Sequence, residues 1–222
     1  MTERRKVLIV GGGSAGWMTG AYLDAVLNPD GERRVDIGLI ESPDVPRIGV
    51  GEATIPSINH VLAAIGLDEF DFMRRCDATY KQAIKYVNWL DGNDGYYHAF
   101  GRYRPSPIDT SGSDWLMSDR SIPFSETISA QPVVCESLLA PKMLDGRDMG
   151  ARFTYAFHMN ALKFADTLCE IATSRGVEHH LDHVVDIEMA DNGDIAAVAT
   201  KSGKRLEADL FIDCTGFAAI LM

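Results

Sequence analysis

Residues 6–16 decide the fold: Lys6-Val7-Leu8-Ile9-Val10-Gly11-Gly12-Gly13-Ser14-Ala15-Gly16. Lys6–Val10 is a short apolar, β-branched run, the pattern of a strand buried on both faces of a parallel sheet. From Ala15 to Leu27 the apolar residues Trp17, Met18, Ala21, Tyr22, Ala25 and Val26 recur at helical spacing. The glycines between strand and helix fall as Gly11-x-Gly13-x-x-Gly16, each with a physical use. Gly11 permits a tight turn, Gly13 lets a pyrophosphate approach the backbone, and Gly16 lets the helix pack closely on the strand. The free N–H groups and positive dipole end of the helix then face the phosphates.

Outward from this loop, Asn28-Pro29-Asp30-Gly31 is turn chemistry that stops the helix. Val35–Ile40 reads as a second strand that closes on Glu41, which completes a βαβ unit. The Glu41 carboxylate can accept hydrogen bonds from ribose hydroxyls but would repel a 2′-phosphate, so NADP is disfavoured. Residues 41–57 contain three prolines and two glycines and predict an extended strap. Helices are predicted over Ile58–Ile65 and Asp68–Tyr80, and a strand over Ala83–Leu90. Irregular structure with short strands is predicted over residues 91–148. An amphipathic helix is predicted over Phe157–Arg175, followed by strands at Val177–His180, Val184–Ala190 and Ile195–Thr200. Asp191-Asn192-Gly193 makes the last two a hairpin. Leu210–Cys214 is a terminal apolar strand. It resembles the returning strand of two-domain FAD proteins, in which an acidic residue followed by glycine, here Asp213 and Gly216, lies near the flavin.

The chain has 222 residues, 21 Lys+Arg against 32 Asp+Glu, and a net charge of −11. A folded chain of this size exposes roughly 10,000 Å² and supports a core without staples. Acidity without a Lys/Arg run argues against nucleic acid or an anionic membrane surface as partner. Cys76, Cys135, Cys169 and Cys214 are scattered without a CxxC pair and read as reduced thiols of a cytoplasmic protein, not as a disulfide framework or zinc site. His179, His180 and His183 lack carboxylates or cysteines at ligand spacing and read as a solvated edge, so no metal is expected.

Five stretches together resemble the flavin-dependent tryptophan halogenases in order and spacing. They are GGGSAGWMTGAYL (11–23), IGVGEATIPSI (48–58), CDATYKQAIKYVNW (76–89), His98-Ala99-Phe100-Gly101, and DLFIDCTGF (209–217). The resemblance implies a Rossmann-like FAD-binding domain of the two-domain flavoprotein monooxygenase type, with an inserted irregular β-containing substrate lobe. On that reading residues 1–90 hold the βαβ unit, strap and lysine segment, 91–150 a partial substrate lobe, and 151–222 the return to the FAD-binding domain. Gly11, Gly13, Ser14, Ala15 and Gly16 match the family's flavin loop. Gly49, Val50, Gly51, Glu52, Ala53 and Thr54 match its flavin-contacting strap, which runs over Arg47–Pro56. Lys81 matches its essential lysine, with Lys85 the weaker candidate; spacing alone does not separate the two. His98 and Phe100 match a segment near the aromatic substrate, where Phe100 could stack on an indole.

The implied activity is halogenation of tryptophan or another indole-like arene. Reduced FAD from a separate flavin reductase, O2 and chloride or bromide give hypohalous acid, delivered through the lysine. A homodimer is the candidate assembly. The family's WxWxIP segment and catalytic glutamate are absent, and Ala218 stands where an arginine is usual. The chain, which ends at GFAAILM, is therefore expected to be truncated and not to halogenate by itself. The alternatives are an FAD monooxygenase that needs no halide, a non-catalytic FAD-binding fragment, and an NAD-binding regulatory module.

Overall fold

The computed structural model describes residues 4–47, 49–103, 108–143 and 151–222. Ile48 of the strap and residues 104–107 and 144–150 of the expected lobe lie outside them. Strand β1 (Arg5–Val10), helix α1 (Ser14–Leu27) and strand β2 (Val35–Glu41) form the βαβ unit. The strap follows, irregular apart from β3 (Gly51–Ala53). Next come α2 (Ser57–Ala64) and α3 (Glu69–Cys76), the latter capped by Asp68, whose side chain accepts from the Asp71 N–H.

The helix expected to run to Tyr80 stops four residues short. Phe72, Cys76 and Tyr80 keep a helical spacing, but Asp77 takes a left-handed conformation at φ +50° and turns the chain. Thr79–Lys81 is instead strand β4, followed by the hairpin of β5 (Ala83–Val87) and β6 (Gly95–Ala99). Beyond that hairpin the expected short strands are short helices: α4 (Ser111–Met117), α5 (Phe124–Ile128) and α6 (Gln131–Glu136). The helix expected from Phe157 begins at Ala161. Ala156–Asn160 is strand β7, and Asn160 caps helix α7 (Ala161–Ser174) by accepting from the Lys163 N–H. Strands β8 (Glu178–Leu181), β9 (Val184–Met189), β10 (Ile195–Thr200), β11 (Arg205–Glu207) and β12 (Leu210–Asp213) complete the chain.

The central sheet is parallel, in the order β12-β1-β2-β8. Val7, Ile9, Ile37 and Leu39 point to one face, where Trp17 and Ala21 of α1 and Phe164, Ala165 and Leu168 of α7 cover them. Leu8, Val10 and Ile40 point to the other, where Val198 of the antiparallel β11-β10-β9 sheet closes over them. Two covered faces explain why β1 is apolar at every inner position rather than alternating. A third sheet, β3-β7-β4, ties the strap to the main body. This is a Rossmann-like mixed α/β unit with a parallel sheet.

The chain exposes 13736 Å², roughly a third more than expected for a compact chain of its size. Part of the excess is apolar and belongs to the strap and the β5–β6 hairpin, where Val50, Ile55, Trp89 and Leu90 stand exposed.

Candidate functional site

Three predicted segments meet at the carboxyl edge of the parallel sheet: the glycine loop after β1, Glu41 at the end of β2, and Asp213 at the end of β12. From β1 the chain proceeds to one neighbour and returns on the other side through β12, so the crevice lies at a topological switch point, where such sheets bind ligands. The three loop glycines differ in what surrounds them. Gly11 has φ +110°, and a Cβ there would lie 2.4 Å from the Cys214 carbonyl oxygen. At Gly16 a Cβ would meet the Gly11 carbonyl oxygen at 1.8 Å, so helix and strand touch through backbone. At Gly13 a Cβ would meet nothing within 4 Å. Gly13 is therefore an open cradle at the N-terminus of α1, beside Ser14 and Ala15, with the shape a pyrophosphate requires.

Gly12, which the fingerprint leaves unspecified, is also constrained. A Cβ there would lie 1.8 Å from Glu41 Oε2. The Glu41 carboxylate thus folds over the loop, and it has partners already. Arg47 Nη2 donates to both of its oxygens at 2.9 and 3.1 Å, and His179 Nε2 lies 2.9 Å from Oε1. Arg47 also pairs with Asp166 on α7. Asp213 is likewise engaged: Oδ1 accepts from the Thr215 N–H and hydroxyl at 2.8 and 2.6 Å, and Oδ2 from the Leu221 N–H at 2.9 Å. Burial opposes its ionisation, but these donors hold the carboxyl below its ordinary range. Gly216, at φ +62°, opens the turn that follows, and a Cβ there would meet nothing within 4 Å.

The strap crosses the start of α7. The Ala161 N–H donates to the Val50 carbonyl at 3.1 Å, and a Cβ on Gly49 would meet Leu162 at 2.9 Å. Gly51, Glu52 and Ala53 pair with Asn160, Met159 and His158, while Thr79, Tyr80 and Lys81 pair with His158, Phe157 and Ala156 on the other side of β7. Alternation puts Tyr80 and Phe157 into the core and Lys81 and His158 on the opposite face. Lys81 is 8% exposed. Its Nζ donates to the Thr54 carbonyl at 2.9 Å and lies 5.3 Å from the centre of the Phe100 ring. Among the described residues it forms no ion pair. Burial lowers its ammonium below the ordinary lysine value.

Lys85, the rival candidate, is half-exposed and pairs with Glu136, which also accepts from the Tyr97 hydroxyl at 2.8 Å. The structure therefore separates two lysines that spacing did not. His98 is exposed on β6 and lies edge-on to Phe100, ring centres 6.3 Å apart. Buried Gln131 fixes the turn after Phe100 by accepting from the Gly101 N–H at 2.6 Å and donating to the Thr154 carbonyl at 2.5 Å. The remaining histidines have separate partners: His180 sits near Glu178, and His183 between Asp44 and Ser42. Among the described residues no three His, Cys, Asp or Glu side chains gather as metal ligands, and no helix is long and apolar enough to cross a membrane. The four cysteines are free thiols.

Two members of the site escaped the sequence reading. His158, held below its ordinary pKa by burial and by the Lys81 charge, sits in Tyr155-Ala156-Phe157-His158-Met159-Asn160, whose period-two alternation is a strand signal. Gly12 could have been suspected from the uninterrupted glycine triplet.

The family model for tryptophan halogenases matches residues 6–222. The chain is 38% identical, over 98% of its length and 43% of the relative's, to tryptophan 7-halogenase RebH of Lentzea aerocolonigenes. Among solved structures, a tryptophan halogenase from Shewanella frigidimarina superposes with a TM-score of 0.89 at 38% identity, over 99% of this chain and 44% of that one. Xcc4156, a flavin-dependent halogenase from Xanthomonas campestris, superposes with a TM-score of 0.80 at 31% identity, over 98% of this chain and 43% of that one. The chain thus spans less than half the length of the curated relatives it matches.

Proposed function

The chain belongs to the tryptophan halogenase family, and from that premise we propose that it supplies the flavin loop, strap and lysine with which an FAD-dependent enzyme halogenates tryptophan or another indole-like arene. The open backbone at Gly13 fits the FAD pyrophosphate. Gly11, Ser14, Ala15 and Gly16 complete the phosphate loop, Glu41 faces the ribose, and Asp213, Gly216 and the Gly49–Thr54 strap hold the remainder. When bound in reduced form, delivered by a separate flavin reductase, FAD supplies with O2 the two-electron oxidation of chloride or bromide to hypohalous acid.

Lys81 carries the reading. An ammonium has three donors, and the described contacts use one of them, to a neutral carbonyl rather than to a carboxylate. The other two can hold and polarise a small oxidant such as hypohalous acid. Phe100, adjacent to the ammonium, offers a ring face on which an electron-rich arene can stack, with His98 at its edge. On this reading residues 1–90 and 151–222 form the flavin-binding domain and 91–150 the substrate lobe of a cytoplasmic enzyme that assembles as a homodimer.

Because the chain spans less than half of its relatives, the assay uses a chimera that continues residue 222 with the remainder of the Lentzea relative. Supplied with FAD, a flavin reductase, NADH, O2, bromide and tryptophan, it is expected to give brominated tryptophan by mass spectrometry. Lys81→Met should abolish the product while FAD binding persists. Oxygenated tryptophan formed without halide would instead favour an oxygenating flavoenzyme, and brominated product undiminished in Lys81→Met would remove the lysine from the reading.

A further inference from the structure

The β3–β7 ladder breaks its own hydrogen-bond rule at one residue, and the break faces Lys81. The antiparallel register pairs Gly51 with Asn160, Glu52 with Met159 and Ala53 with His158. One step further, Thr54 stands opposite Phe157. A hydrogen-bonded antiparallel pair exchanges two N–H···O=C bonds. The first is present: the Thr54 N–H donates to the Phe157 carbonyl at 2.9 Å. In place of the second, the Phe157 N–H donates to the Thr54 hydroxyl oxygen at 3.0 Å, and that hydroxyl donates back to the Phe157 carbonyl at 3.0 Å. The Thr54 carbonyl, relieved of its ladder partner, accepts from Lys81 Nζ at 2.9 Å.

We propose that Thr54 is the positioning residue of Lys81: its hydroxyl takes the place of its own carbonyl in the ladder, so that the carbonyl is free to orient the ammonium. The proposal rests on the role given to Lys81 above, but its geometry stands apart from flavin and halide. A neutral carbonyl suits this task better than a carboxylate. It fixes one N–H of the ammonium without neutralising the charge, and it leaves two donors for a ligand. A side chain without a hydroxyl would leave the buried Phe157 N–H without its acceptor. That amide would then reclaim the Thr54 carbonyl and take it from Lys81. Serine can do what threonine does; valine, of the same shape, cannot. The titratable neighbour of Lys81 is His158, which lies opposite Ala53 and Thr79 on the same face.

The test follows the Lys81 side chain by NMR in the 222-residue chain without flavin. Lysine is labelled at Cε and Nζ, and Lys81→Met identifies its signal. Hydrogen bonding favours the charged form, so Thr54→Val should lower the Lys81 titration midpoint. Thr54→Ser should leave it where the wild type has it. An unshifted Lys81 in folded Thr54→Val overturns the proposal, as does a Thr54→Ser variant that titrates lower than wild type. If Thr54→Val does not fold, Thr54→Ala, which also lacks the hydroxyl, takes its place with the same expected and overturning results. Because flavin and halide are absent, a failure here leaves the halogenase reading standing, and a failure of the chimera assay leaves Thr54 to be judged on this titration.

Discussion

The buried ion pair of Glu69 and Lys142 should be a strong energetic link between α3 and the segment that follows α6. Glu69, the first residue of α3, is 0% exposed, and Lys142, beyond α6, lies with its side chain 7% exposed. Glu69 Oε1 also accepts from the Tyr155 hydroxyl at 2.8 Å, while Lys142 stands over the rings of Phe70 and Tyr155 at 5.2 and 5.6 Å. Burial, with Glu69 close by, pushes the Tyr80 phenol up to about 12. Removing one member of a buried ion pair costs about 3–5 kcal/mol. Lys142→Met should therefore lose that much, and Glu69→Gln about 3 kcal/mol. The double variant removes both charges and keeps an amide oxygen for the Tyr155 hydroxyl, so it should cost only about 0–2 kcal/mol. The three variants form a double-mutant cycle, read by urea unfolding with linear extrapolation, with an expected coupling of about 4 kcal/mol or more. Additive losses, with a coupling below about 0.5 kcal/mol, would refute the reasoning, because they would mean that the two charges do not depend on each other for burial.

The glycines separate binding from folding. Gly13→Val enters open space, so it should fold normally yet lose at least about tenfold in FAD affinity by flavin fluorescence; unchanged affinity would remove Gly13 from the phosphate cradle. Gly16→Ala drives a Cβ against backbone at 1.8 Å and should cost about 3 kcal/mol or more in thermal or urea unfolding; a neutral effect would contradict the close approach of helix and strand. Lys81→Met replaces a buried charge and should raise stability by up to about 1 kcal/mol near pH 7. The folded lysine binds its proton less tightly than the unfolded one, whose value is 10.5, so wild-type stability should rise with pH toward 10.5 and close that gap; a methionine variant less stable than wild type at pH 7 would reverse the argument. In the same variant His158 loses a nearby positive charge, so its imidazole should titrate at a higher pH by NMR, and an unmoved midpoint would show that the two groups do not interact.

The sequence was most legible where one local rule acted alone. A β-branched run, three spaced glycines and a helical stripe specify β1, the loop and α1 almost residue by residue, because buried parallel strands and phosphate loops leave little choice of side chain. It misled where two periodicities overlapped. Phe72, Cys76 and Tyr80 keep i,i+4 spacing across a chain reversal, and the αL residue that makes the reversal is Asp77, not a glycine, so no breaker was visible. Phe157 and Ala161 likewise continue the stripe of α7 backwards into β7. The cap Asn160 marks the true start, but asparagine is common enough elsewhere that it did not outweigh the stripe. Beyond β6 the expected short strands proved to be short helices because prolines that suggested irregular structure start helices there, with Pro123 and Pro132 at the starts of α5 and α6.

At the site, the sequence could name residues but not how they share their hydrogen bonds. Glu41 is the clearest case. Read from the sequence it is a free acceptor for a ribose; in the fold it is an acceptor with most of its capacity committed. A carboxylate offers about four lone-pair positions. Oε1 faces both Arg47 and His179, whereas Oε2 meets Arg47 and the backbone surface of Gly12. Oε2 is thus the oxygen with capacity left, and it is also the one that lies over the glycine loop. The strap arginine and His179 hold the carboxylate in a single orientation, with the less committed oxygen toward the loop where a dinucleotide would lie. Thr54 shows the same economy at the other end of the strap, where a side-chain hydroxyl takes over a backbone bond and frees a carbonyl for Lys81. Both arrangements join residues distant in sequence, Glu41 with His179 and Thr54 with Phe157. Each depends on register between strands that spacing within one segment does not encode.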